Sequence, residues 1–114
     1  METVRHFRWS GHASKRAAER FPEVTQEEIH ALYGRARRAG KKTRRKIKAA
    51  CPAQGQWMDH GYQGRYIMVH LRSGIVYVMA AVGTDTPILV TVFPLPDWNL
   101  LNMSAAVLAE TMMS

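Results

Sequence analysis

A histidine and an arginine near the start of the chain have spacing that suits phosphate chemistry. His12 and Arg16 lie four positions apart, so a helix over this segment places both on one side, together with Glu19 and Arg20. An arginine can bind two phosphate oxygens through its guanidinium, and a histidine can transfer a proton near neutral pH. The same spacing also fits an ordinary solvated helix face with an i, i+4 pair.

A second candidate group lies in the latter half of the chain. His70 falls within a predicted strand, and with Ser73-Gly74 as a two-residue turn it opposes Tyr77 on the next strand. His70 is then either a proton-transfer or phosphate-contact residue, or a half-buried histidine bonded to the Tyr77 hydroxyl. We expect Arg72 and Tyr77, which share its face, to contact nucleic acid.

The strongest charge feature is a run of basic residues between positions 35 and 48. It holds nine of the sixteen lysines and arginines and no acidic residue, whereas the rest of the chain has seven basic and nine acidic residues. Neutralising several phosphates gives strong, salt-sensitive and largely sequence-independent binding. We therefore expect a nucleic-acid contact, although a solvated tail or a localisation signal has the same composition. The basic residues are Arg35, Arg37, Arg38, Lys41, Lys42, Arg44, Arg45, Lys46 and Lys48.

Three helices are predicted in the first half of the chain, and they carry His12, Arg16 and the basic run. Ser10 can cap the first helix, and Thr25 with Glu28 has the spacing of a capping box at the start of the second. We expect the second helix to end at a left-handed Gly40 and the third to consist mostly of the basic run. The predicted helical region spans residues 10–50, with the first helix at Gly11 to Arg20 and the third at Lys41 to Ala50.

An antiparallel sheet is predicted over residues 54–96, followed by an apolar tail at 97–114. Alternating and apolar runs separated by turn residues define its strands, and the tail favours a short helix over Ser104 to Met113. The fold class is therefore α+β: two or three N-terminal helices, a three- to four-stranded antiparallel sheet and a C-terminal helix, in a single domain. The predicted strands are Gln56 to Tyr62, Arg65 to Arg72, Ile75 to Val82 and Ile88 to Phe93.

Pairing these strands sorts the side chains into two faces. One face is aliphatic and is expected to bury against the helices. The other mixes aromatic, sulfur-containing and polar groups, so it is either a binding surface or a second core layer under the C-terminal tail. The aliphatic face has Ile67, Val69, Leu71, Val76, Val78, Val90 and Val92, and the mixed face has Tyr66, Met68, His70, Arg72, Tyr77, Met79, Leu89, Thr91 and Phe93.

Composition excludes several classes of protein. A single cysteine, Cys51, allows no internal disulfide framework, and no group of residues has the spacing of metal ligands. We expect neither a metal nor a cofactor, and the scarcity of paired carboxylates argues against a two-metal nuclease. No apolar run is long enough to span a membrane and no signal peptide is recognisable, so no membrane partner is expected. A cytoplasmic location is expected because a secreted domain of this size usually has disulfides.

Parts of the chain resemble small RelE-like toxin and phage proteins of the barnase–colicin–RelE ribonuclease superfamily. His12-Ala13 followed by Arg16 and Arg20 is similar to their HA-x-x-R-x-x-x-R opening, and Val90 to Pro94 is similar to their last strand. Their layout of two helices followed by a four-stranded antiparallel sheet matches the predicted order over residues 10 to 96. The basic run is an insertion relative to their usual short pattern.

This resemblance implies metal-independent cleavage of RNA, in which the 2′-hydroxyl attacks the adjacent phosphodiester. By match, it assigns His12 and Arg16 of the first helix and Thr91 of the last strand to the catalytic site, and His70 is added from the sheet face. It also implies a possible cognate antitoxin as partner. Two alternatives are a nucleic-acid-binding protein without catalysis and a small phage-type effector that docks on an acidic protein surface, for which the seven methionines are suited.

Overall fold

The computed structural model describes residues 6–59, 64–81 and 86–96. Within these ranges short strands alternate with helices in the first half, and three longer strands follow in the second. The elements are β1 (Arg8–Trp9), α1 (Gly11–Arg20), α2 (Gln26–Tyr33), β2 (Arg37–Arg38), α3 (Lys41–Ala50), a 3-10 helix (Pro52–Met58), β3 (Arg65–His70), β4 (Ile75–Ala80) and β5 (Ile88–Pro94).

The described strands form one five-stranded sheet in the order β1-β5-β4-β3-β2. β3, β4 and β5 are antiparallel neighbours, β2 is antiparallel to β3, and β1 is parallel to β5. The α+β class is thus confirmed, but the sheet is mixed rather than antiparallel. The two extra strands have two residues each, which is too short for a recognisable alternation of apolar and polar residues.

Helices cover both faces of this sheet. On one face Met68, Tyr77 and Met79 pack with buried residues of α1 and α2, such as Ala17 and Ile29. The face predicted to be mixed is therefore a core layer, on which α1 and α2 pack. The predicted C-terminal tail lies outside the described residues. Since β4 is buried along its whole length, its side chains do not form a binding surface.

The opposite face carries the aliphatic side chains, as predicted. Ile67, Val69 and Val78 pack there with Ile47 of α3 and Met58 of the 3-10 helix. This packing places the most basic of the described helices against the sheet.

The hairpin between β3 and β4 is longer than predicted, because the turn spans residues 71–74 instead of Ser73-Gly74 alone. Gly74 takes a left-handed φ of 76°, which glycine adopts without steric cost. Pairing consequently moves by two residues, so that His70 opposes Ile75 and Tyr77 opposes Met68. A shift by two keeps every side chain on its predicted face.

An irregularity in the pairing of β4 with β5 does move side chains of β5 to the other face of the sheet. The register passes from Val78↔Thr91 to Met79↔Leu89, which leaves Val90 as an extra residue. Beyond this bulge Tyr77 opposes Val92 and Val76 opposes Phe93, so Val92 and Phe93 lie on the faces opposite to those predicted. Phe93 accordingly packs in the aliphatic cluster and Val92 in the cluster beneath α1 and α2.

Two predicted helix and strand bounds are wrong in the middle of the chain. α2 ends at Tyr33, and Gly40 has an ordinary φ of −78° at the N-cap of α3 instead of a left-handed helix stop. Between them Arg37 and Arg38 extend the sheet edge. The 3-10 helix begins with Pro52 and occupies the start of the strand predicted over Gln56 to Tyr62. Asp59 is the C-cap of this helix, and residues 60–62 of that strand and the C-terminal helix lie outside the described residues.

Candidate nucleic-acid interface

The burial pattern of α3 directs its cations outward. Thr43 and Ile47, four positions apart, are fully buried, and Ile47 packs in the aliphatic cluster of the sheet, so the basic positions of the helix are oriented away from the sheet. Five of its six basic side chains are exposed and Arg44 is half-buried. The six are Lys41, Lys42, Arg44, Arg45, Lys46 and Lys48.

These charges are poorly compensated within the described part of the chain. There, only Lys48 of the basic run forms an ion pair, with Asp59 at 3.1 Å. Arg44 donates from Nη1 to the Ala39 carbonyl at 3.2 Å, which fixes its position but leaves its charge in place. α3 also has no acidic residue in its first turn. The surface is therefore strongly positive.

A groove of about 570 Å³ runs along this helix toward the end of the 3-10 helix. Arg44 and Arg45 line it together with Lys41 and Lys48, one or two turns away, while Lys42 and Lys46 lie outside the lining. We call Lys41, Arg44, Arg45 and Lys48 the α3 surface. Met58 and Asp59 complete the groove. Sequence reasoning missed both, because nothing in the sequence shows that the 3-10 helix turns back on α3.

Strand β2 extends the positive surface to the sheet edge. Arg37 and Arg38 are both exposed, and the guanidinium carbon of Arg38 lies 4.9 Å from the centre of the Tyr66 ring. Arg35 is also exposed. All nine residues of the basic run are thus at least partly accessible to a polyanion.

His70 is a structural residue of the hairpin. It is 7% exposed, and its Nδ1 accepts a hydrogen bond from the Ser73 backbone N–H at 3.2 Å and lies 2.7 Å from the Ser73 hydroxyl. The pKa of His70 is lowered, first by burial and then by the charges of Arg35 and Arg72. A neutral ring with its proton on Nε2 satisfies these contacts. The predicted bond from His70 to the Tyr77 hydroxyl is wrong.

Tyr77 is buried too deeply to contact nucleic acid. Its side chain is fully buried, and its hydroxyl donates to the Ile29 carbonyl at 2.7 Å. Burial also raises the pKa of this phenol. The expected role of Tyr77 is therefore corrected to a structural one: it ties α2 to the centre of the sheet. Arg72, by contrast, is exposed in the hairpin turn and remains available.

The α1 residues predicted for catalysis differ in their surroundings. His12 is exposed. Arg16 forms an i, i+3 ion pair with Glu19 at 2.8 Å, and its Nε is buried without a hydrogen-bond partner in the described structure. The helix forms as predicted, with the Ser10 hydroxyl accepting from the Ala13 N–H.

Thr91 is held by α1 through a residue other than the predicted pair. Thr91 is 1% exposed. Its hydroxyl accepts from Arg20 Nη1 at 3.3 Å, and the same Nη1 donates to the Val92 carbonyl at 2.9 Å. The sequence motif grouped Arg20 with His12 and Arg16, but Arg20 bonds the Thr91 side chain and the backbone of β5.

The sheet also separates His70 from Thr91. His70 opposes Ile75 on β4, whereas Thr91 opposes Val78 three residues further along, one strand beyond. Strand spacing and rise place their Cα atoms roughly 14 Å apart. Both side chains are already bonded to their own neighbours, so the structure does not unite these two predicted catalytic residues in one site.

Comparison of the chain with family models, with curated proteins and with solved structures finds no match. No helix in the described ranges is long and apolar enough to cross a membrane. Among the same residues, no group of three histidine, cysteine or acidic side chains is arranged to hold a metal ion.

Proposed function

We propose that this protein binds nucleic acid, with RNA as the favoured ligand, through the α3 surface and without catalysing its cleavage. The observation that carries the proposal is the outward orientation of six cations on α3, of which only Lys48 pairs with a described carboxylate. The preference for RNA draws on the resemblance to RNA-cleaving proteins. The separation of His70 from Thr91 favours binding over catalysis.

The energetics of α3 support a polyanionic ligand. Lys41 and Lys42 lie in the first turn, where the helix dipole disfavours cations. Lys41 and Arg45, like Lys42 and Lys46, are also like charges four positions apart, which destabilises a helix. A bound phosphate chain offsets both costs. The ten residues of α3 span about 15 Å, the axial length of about four phosphates on one strand of a duplex.

The test compares two double variants that remove the same charge from the same helix. Lys41→Gln with Arg45→Gln alters the α3 surface, whereas Lys42→Gln with Lys46→Gln alters cations outside the groove. Affinity for a labelled RNA oligonucleotide is measured by fluorescence anisotropy over a series of salt concentrations. Each lost phosphate contact to a single strand lowers the salt slope by about 0.7, so the groove variant should lose about 1.4.

We expect the groove variant to bind RNA about tenfold more weakly at moderate salt and the matched variant to lose less than half of that free energy. Equal losses would show that only total charge matters and would remove the groove from the proposal. If the unmodified protein bound RNA at no salt concentration, the nucleic-acid proposal would fail, and an acidic protein surface would become the partner to test.

A further inference from the structure

A second pocket opens where the short strand β2 stops covering β3. β2 opposes Val69 and Met68, and one further bond joins the Ala39 N–H to the Ile67 carbonyl. Beyond this point a pocket of about 370 Å³ lies at the sheet edge, within the size range of small-ligand sites. The lining includes Arg38, Arg44, Trp57, Asp59, Arg65 and Tyr66.

The lining has the planar groups that stack on nucleobases. Trp57 and Tyr66 are both half-buried. Trp57 packs against the aliphatic cluster and Tyr66 against the cluster beneath α1 and α2, so the edge pocket has one ring from each face of the sheet. The Arg38 guanidinium already lies over the Tyr66 ring, 4.9 Å from its centre. Bases that are free of a duplex stack on aromatic rings and on arginine guanidinium planes, and such stacking tolerates any base because every base has a π face.

The pocket adjoins the α3 surface. Arg44 and Asp59 line both this pocket and the groove along α3. A strand whose phosphates lie on Lys41, Arg45 and Lys48 therefore passes the mouth of the pocket. Asp59 accepts a hydrogen bond from Lys48 at 3.1 Å and has further acceptor capacity for the N–H groups of a base.

We propose that this edge pocket takes one unpaired nucleobase of a single-stranded RNA whose phosphates lie on the α3 surface. The inference rests on the proposed function and adds that the bound RNA is unpaired at this pocket. A base within a duplex is already stacked and paired, so only a single strand, a bulge or an extruded base can enter the pocket without breaking those contacts. Contacts of the base with Tyr66 and Trp57 thus select single-stranded over duplex RNA. Contacts of the phosphates with the α3 surface supply the salt-dependent part of the affinity.

The experiment measures binding of a labelled twelve-nucleotide RNA and of its blunt duplex under one salt condition. The unmodified protein should bind the single strand more tightly. Tyr66→Leu, which removes the ring and keeps an apolar side chain, should weaken single-strand binding roughly tenfold or more and change duplex binding by less than about twofold. Tyr66→Phe keeps the ring and is the matched control, so it should retain the single-strand affinity.

The outcomes separate this inference from the proposed function. Salt-dependent binding with equal affinity for both RNA forms, unchanged by Tyr66→Leu, would overturn the pocket and leave the α3 surface intact. Absence of binding to either form would overturn both. Circular dichroism verifies that each variant is folded.

Crosslinking provides a measurement that needs no substitution. A single strand carrying 4-thiouridine should crosslink on irradiation to a peptide that contains Trp57 or Tyr66, and crosslinks confined to α3 would contradict the pocket. Uridine monophosphate alone should compete only at high concentration, because it lacks the phosphate chain that α3 would bind. Competition at micromolar concentration would instead identify a free nucleotide as the ligand and overturn the inference.

Discussion

Arg20 at the end of α1 donates one hydrogen bond to the Thr91 hydroxyl, at 3.3 Å, and thereby fastens the first helix to the last described strand. The same guanidinium nitrogen bonds the Val92 carbonyl, on a strand whose pairing with β1 extends only over Ile88 and Leu89. Among the described strands none pairs with β5 beyond Leu89 on the β1 side, and Arg20 supplies a hydrogen bond to the backbone there. Burial, followed by the charge of Arg16, lowers the pKa of Arg20, and Glu19 opposes the shift.

Replacing Arg20 with methionine should destabilise the fold. The variant loses two hydrogen bonds from a charged donor, and the Val92 carbonyl loses its partner, so we expect the free energy of unfolding to fall by about 1 to 3 kcal/mol. Urea denaturation measures it. Arg16→Met is the control, since it breaks only a surface ion pair with Glu19 and should change stability by less than about 1 kcal/mol. Equal effects would contradict this role of Arg20.

The charge arrangement of α3 predicts that a substitution can raise the unfolding free energy while it weakens RNA binding. Lys42→Glu puts an acidic residue in the first turn and an i, i+4 partner before Lys46, so we expect a gain of about 0.5 kcal/mol in unfolding free energy and weaker RNA binding. Lys46→Glu makes the same charge change in mid-helix, without the favourable N-terminal position. It should stabilise less. Thermal unfolding and anisotropy on both variants test the pair, and a loss of stability in Lys42→Glu would contradict the argument.

Stability should fall as the solution is acidified below neutrality. Burial is the main cause that lowers the pKa of His30 and of His70, so the unfolded chain binds protons more readily than the native one. The associated stability is complete above the unfolded pKa near 6.5 and is lost as pH falls toward the lowered native values. Urea midpoints measured between pH 8 and pH 5 should follow this trend.

His70→Asn tests the contribution of one histidine to this pH dependence. The asparagine side-chain oxygen can accept from the Ser73 N–H as Nδ1 does, but it does not titrate. The variant should therefore show a smaller loss of stability between pH 7 and pH 5. An unchanged pH dependence would mean that His70 does not contribute.

The ribonuclease hypothesis stays a prediction with a direct test. We expect RNA incubated with the protein in EDTA to remain intact, because His70 and Thr91 lie far apart and are engaged in structural bonds. Products ending in a 2′,3′-cyclic phosphate would contradict this. If such products disappeared with His12→Ala and persisted with His70→Asn, the activity would belong to the exposed side of α1.

The elements with local determinants were predictable from the sequence. α1 and α3 have their predicted bounds, and the Ser10 and Thr25 caps form as expected, because a cap depends on residues within one turn. The parity of β3 and β4 was also correct. Alternation of side chains survives an error of two residues in the register.

The remaining features depend on contacts between distant segments. Arg37 and Arg38 form a strand only because the edge of β3 is available at Val69 and Met68. The bulge at Val90 places Phe93 on the aliphatic face instead of the mixed face. The helices on the mixed face bury Tyr77. The groove and the edge pocket need the 3-10 helix to return against α3. No sequence pattern therefore indicated Trp57 or Asp59 as a candidate residue.

The brevity of β2 has a consequence for self-association. An open sheet edge is a template on which a second copy can add its own strand, and here that edge consists of two exposed arginines. Two copies that brought these edges together would oppose four positive charges at strand spacing. The barrier to this pairing is electrostatic, so it is highest at low salt and falls wherever phosphates cover Arg37 and Arg38.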